Sequence, residues 1–204
     1  MIPKRRRIAV LLLGTTIVIA SACVYYVRSH PLVFNESLFG HAHCIAQTGL
    51  ALHQYADENA GRFPSDTNGY GNALLHITNE VGHFWGCLTG PGYDGQIFAL
   101  AARTGGRIPE SRCGRVYVQG LSESNDPEIA ILFDKLPTPG GDHCHFPRRL
   151  VAPLAREVSL IDGSYRVIRE TNWLSFSQRQ IELLVKAGMP REEAKGYYNA
   201  TPKE

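Results

Sequence analysis

The sequence predicts an α+β protein. An N-terminal membrane helix is followed by an amphipathic helix packed on a roughly four-stranded antiparallel sheet, with a further helix at the C-terminal end. Three observations predict this. Residues 8–27 carry no charge behind a basic start, apolar side chains repeat at steps of three and four between Leu38 and Ala56, and from Arg115 to Arg169 the repeat shortens to two. The resulting division is residues 1–28 as basic n-region and transmembrane anchor or lipoprotein signal, 29–36 as linker, and 37–204 as an extracytoplasmic domain.

Lys4, Arg5, Arg6 and Arg7 precede the uncharged run Ile8–Val27, which is long enough to cross a bilayer as a helix. Basic residues stay on the cytoplasmic side, so the remainder is expected outside, single-pass at the cell membrane with a periplasmic head. Tyr25, Tyr26 and Arg28 suit the far interface. The same residues allow a second reading. Ile19-Ala20-Ser21-Ala22-Cys23 has the form of a lipobox, with Cys23 as the lipidated residue. Either way the protein sits on a membrane. Net charge is +2, and without the basic cluster at 4–7 acidic residues outnumber basic ones. That gives no support to a nucleic-acid partner.

Pro31 interrupts any helix leaving the membrane. In the next helix Leu38, Ala42, Ile45, Gly49, Leu52 and Ala56 line one face, with Asn35 or Ser37 able to cap its start. Gly61 and Pro64 stop it, and the small Gly49 and Ala51 allow close packing on its middle. A turn-rich loop, SDTNGYGN, leads to a short helix over Ala73–Val81. Gly82–Arg115 is rich in Gly and Pro, with a helical turn expected at Gln96–Arg103.

Strands are expected at Arg115–Leu121, Glu128–Phe133, within Val151–Ile161, and at Ser164–Arg169. Asp162-Gly163 signals a hairpin between the last two, because a tight turn there needs positive φ. Trp173–Gly188 reads as a helix, with a capping box from Ser177 and Gln180 or from Ser175 and Gln178. Pro190–Tyr198 adds a last short one.

Cys44, Gln47, Gly49, Leu50, Ala51, Leu52, His53, Tyr55, Gly61, Phe63 and Pro64, with Asp162-Gly163 further on, resemble bacterial prepilin-like proteins. These are the group with a late His…Asp-Gly motif, similar to type II secretion pseudopilins. The resemblance implies a pilin-like fold, with Gly49, Tyr55, Phe63, Pro64, Asp162 and Gly163 as family positions. It also implies a structural or assembly role, with other envelope or pseudopilin-like proteins as partners besides the membrane met by residues 8–27. Two features depart from that pattern. Arg7 is followed by Ile8 with no Glu in the apolar run, so the prepilin-peptidase site is missing, and the nearest His before Asp162 is the more distant His145.

The chain has five Cys. Outside the apolar run, Cys44, Cys87, Cys113 and Cys144 are candidates for disulfides in an oxidising compartment, with the pairing open. His41, His43, His143 and His145 flank two of them and supply ligand types for zinc or copper. A membrane-tethered metal or small-ligand binding protein is therefore the alternative function. His53 is conceivable as a catalytic base, though a His at the edge of an apolar face is more often structural. No Gly-x-Ser-x-Gly, complete Gly-rich phosphate loop or Walker-type loop occurs, so neither enzymatic activity nor a cofactor is expected.

Overall fold

The computed structural model describes residues 44–78, 96–139 and 152–198, together with positions 21, 88 and 90. Helix α1 spans Cys44–Glu58. Its inward face is Ile45, Thr48, Gly49, Leu52 and Ala56, all buried, while Leu50 points outward. The expected periodicity is therefore observed from Ile45 onward, and Leu38 and Ala42 lie outside the described residues. Burying Ile45 and Leu52 stabilises the fold by about 1.5–3 kcal/mol each. The helix ends where expected: Ala60 and Gly61 both take positive φ, 56° and 74°, and the Gly61 N–H donates to the Ala56 carbonyl at 2.8 Å.

The turn-rich loop is shorter than its composition suggests. Helix α2, Tyr70–Ala73, begins inside it and tightens into a 3-10 turn at Leu74–Ile77. Asn72 is buried, and its side-chain oxygen accepts from the Ile108 N–H at 3.0 Å. Helix α3 spans Gln96–Thr104 and buries Phe98, Ala99 and Ala101. A second 3-10 turn follows at Glu110–Arg112.

The sheet contains β1 (Arg115–Tyr117), β2 (Ala130–Asp134), β3 (Thr138–Pro139), β4 (Leu154–Leu160) and β5 (Tyr165–Arg169). All pairings are antiparallel. On β4, residues Val158, Ser159 and Leu160 pair with β2, and Leu154 and Ala155 pair with β3. Ala155–Ser159 pair with β5 on the opposite edge. β2 and β3 thus share one edge of β4, and the layer is an up-and-down meander, β1–β2/β3–β4–β5. Between β4 and β5 the Asp162-Gly163 hairpin forms as expected, with Gly163 at φ 79°. There the Leu160 N–H donates to the Ser164 carbonyl at 2.9 Å. β1 stops sooner than expected, although the Val118 N–H still donates to the Ile131 carbonyl at 2.9 Å.

The two faces of the sheet are covered by different helices. Gly49 of α1 lies so close to β4 that a Cβ there would stand 2.4 Å from Ser159 Oγ. On the same side the buried Arg115 guanidinium donates to Asp134 at 3.2 Å and to the Thr48 hydroxyl at 3.3 Å, and lies 3.8 Å from Glu157. This charged cluster ties α1 to three strands. Removing one charge from such a cluster costs about 3–5 kcal/mol, because its partner stays buried.

Helices α4 (Glu170–Lys186) and α5 (Arg191–Tyr198) cover the other face. Phe133 stacks on Tyr198 at 4.7 Å and meets Trp173 at 5.5 Å, and the Arg156 guanidinium lies 4.4 Å from the Trp173 ring centre. Gln180 of α4 works as a surrogate peptide. Its oxygen accepts from the Ala130 N–H at 2.8 Å and its nitrogen donates to the Glu128 carbonyl at 3.0 Å.

The expected capping boxes are corrected. α4 starts at Glu170, immediately after Arg169 of β5, with no side-chain cap. Ser175 and Ser177 lie inside the helix, where their hydroxyls donate back to the Asn172 and Leu174 carbonyls, each at 2.9 Å. Gly188 does end it, at φ 98°, with the Met189 N–H donating to the Leu184 carbonyl at 3.0 Å.

Candidate functional site

The family positions named from the sequence gather around the C-terminal half of α1. Phe63 is buried, and its ring meets the His53 ring edge-on at 5.4 Å. Pro64 offers its carbonyl to the Tyr117 hydroxyl at 2.7 Å, a buried bond that keeps the phenol protonated, since burial pushes its pKa well up. Gly163 faces His53, whose Nε2 would lie 3.6 Å from a Cβ at that position. Asp162 accepts from the Ser164 N–H and hydroxyl at 2.8 and 2.6 Å, and these bonds hold its carboxyl below the ordinary 3.8. Gly49 lies one turn earlier, against Ser159.

His53 is a pin in this arrangement. Its Nδ1 lies 2.9 Å from Glu123 Oε1, which joins α1 to the loop after β1. Its Nε2 is covered and makes no hydrogen bond. A general base needs a nitrogen that substrate or water can reach, and neither nitrogen is open here. His53 thus orients loops rather than presenting a base.

Two chain segments meet beside it. The Phe63 N–H donates to the Leu121 carbonyl at 3.2 Å, and the Glu123 N–H donates to the Gly61 carbonyl at 2.9 Å. Arg62 and Ser122 form an isolated antiparallel bridge. The positive φ of Ala60 and Gly61 brings the chain back for that pairing. Between the pairing, the end of α1 and the turn carrying His76 lies a groove of about 460 Å³, lined by Tyr55, Asn59, Arg62, Ser65, His76 and Ser122 among others. Nothing in the sequence marks residues 121–123 as the partner of 61–63; that pairing is long-range.

The remaining candidates stand apart from this region. Cys113 is a free, buried thiol in this structure; it is not bridged, and its Sγ lies 3.8 Å from the Pro109 carbonyl. Burial pushes that thiol up to about 12, which keeps it protonated. Cys87 and Cys144, the side chain of Cys44, Cys23, and all of His41, His43, His143 and His145 lie outside the described residues. Among the described residues, no group of three or more His, Cys, Asp or Glu is placed to hold a metal ion. No helix among them is long and apolar enough to cross a membrane, and the expected anchor, Ser21 apart, lies outside them.

No protein-family model matches the chain, and no curated protein or solved structure matches it either.

Proposed function

We propose that this chain is a membrane-anchored, extracytoplasmic pseudopilin-like protein whose head has a structural or assembly role in a secretion or pilus-like system. One observation carries the reading: α1 lies flat across an antiparallel meander, with Gly49 in contact distance of Ser159 on the strand at its centre. A helix following an apolar N-terminal run and roofed by such a sheet is the arrangement that the resemblance implies. The basic residues 4–7 and the uncharged run Ile8–Val27 supply the tether.

Fractionation of cells expressing the full chain tests this. The protein is expected in the membrane fraction, with its head cleaved by protease added from the extracytoplasmic side. Recovery as a soluble cytosolic protein, or a head protected from that protease, overturns it.

A further inference from the structure

The groove beside the end of α1 has a lining that selects among ligands. Its volume, about 460 Å³, is in the range of small-molecule sites. Its walls are held before any ligand arrives, because the Arg62–Ser122 bridge and the backbone bonds on either side of it fix both strands of the rim.

Three observations narrow the ligand. First, Asn59, Arg62, Ser65, His76 and Ser122 make the lining predominantly polar, which disfavours an apolar molecule. Second, the charges nearly cancel. Arg62 is exposed, and its side chain has no ion pair or hydrogen bond among the described residues. His76 faces Asp66 at 3.7 Å, and Glu123 lies on His53 next to Gly61. Two carboxylates thus stand beside the groove, each facing an imidazole, and offset the one guanidinium of its lining, which disfavours a multiply charged anion such as a phosphate ester.

Third, the lining mixes donors and acceptors. Asn59 uses its nitrogen on the Tyr55 carbonyl at 2.7 Å, which leaves its oxygen as an acceptor. The Tyr55 and Ser65 hydroxyls make no hydrogen bond among the described residues. The guanidinium of Arg62 only donates. The half-buried Tyr55 ring, 6.3 Å from that of His76, gives one aromatic surface. Sugar hydroxyls each donate and accept, and a pyranose ring has an apolar face that suits an aromatic side chain. We propose that this groove is a binding site for a short neutral saccharide.

The test uses the full chain purified in a detergent without a sugar headgroup, and isothermal titration with maltose, cellobiose and N,N′-diacetylchitobiose. Glucuronate and glucose 6-phosphate serve as charged comparators. Saturable binding of at least one neutral disaccharide is expected, with little dependence on salt. Arg62→Gln is expected to weaken that binding about tenfold, and Ser65→Ala by less, each with an unchanged melting temperature. Arg169→Gln, on the far strand, should leave it intact. The absence of binding to all three neutral disaccharides overturns the proposal. So does tighter binding of either charged comparator, or an Arg62→Gln variant that binds as well as the native chain. None of these results bears on membrane fractionation, so the two proposals fail separately.

Discussion

Cys113 packs beneath Gly71, whose Cβ, if it had one, would come within 3.0 Å of the sulfur. Desolvation there moves the thiol from its ordinary 9.0 to about 12, and since thiolate is the reactive form, reactivity falls with it. At about pH 8 the native thiol should be alkylated roughly a thousandfold more slowly than in the unfolded chain. Peptide mapping of alkylated protein with and without denaturant measures this; equal labelling of Cys113 in both would refute it.

Tyr198 offers the opposite lesson. Its ring is stacked on Phe133 with an interplanar angle of 10°, yet its hydroxyl is covered and makes no hydrogen bond. The ring stabilises while the oxygen costs desolvation. Tyr198→Phe should therefore leave stability unchanged or raise it by about 1 kcal/mol, read as a shift in denaturant midpoint. A loss of similar size would mean that the oxygen has a partner after all.

At the scale of elements, the α1–β4 contact is the tightest helix–sheet approach that involves a glycine among the described residues. Gly49→Ala forces the added methyl against Ser159 Oγ, which must rotate or move. Overpacking of this kind costs about 1–3 kcal/mol. Ser159 is buried and its hydroxyl has no hydrogen-bond partner, so Ser159→Ala alone should be neutral or mildly stabilising. In the double variant the nearest remaining atom is the residue 159 Cβ at 3.4 Å, an ordinary contact. A double-mutant cycle should thus show favourable coupling, and strict additivity would disprove the contact.

The same contact explains what could be read in advance. Gly49 stood out because a small residue on an apolar helical face is a local signal, as was Asp162-Gly163 for the hairpin. The four strands were legible from their period and turn residues. The start of α4 was not, because the helix has no side-chain cap: the strand's last residue runs straight into it. Nor could the pairing of 61–63 with 121–123 be read, although it builds the groove, since no local pattern specifies contacts across that separation. Gln180 reads in the sequence as the partner of Ser177 in a capping box; that it instead completes the backbone bonding of β2 depends on where α4 lands.

For the whole molecule, the depressed carboxyls set the acid limit. Asn68 holds Asp66 down, Ser164 does so for Asp162, and Arg191 for Glu182, from ordinary values of 3.8, 3.8 and 4.5. A group whose folded value is lowered binds its proton more readily in the unfolded chain. Its contribution is present above the unfolded value and disappears as pH falls through the folded one. Urea midpoints should therefore be level down to about pH 4.5 and decline below it. Asp162→Asn should lessen that decline; an unchanged profile would remove Asp162 from the account.

The direct passage from Arg169 to Glu170 has a mechanical meaning. With no intervening loop to absorb an error, the last peptide of β5 sets the azimuth of everything that follows. One extra residue at that junction would turn the helix by about 100° about its axis. The amide that now closes the end of β2 would swing toward water, and Trp173 would leave its place beside Phe133. Insertions that most surface loops tolerate are thus forbidden here, and strand length and helix phase can change only together.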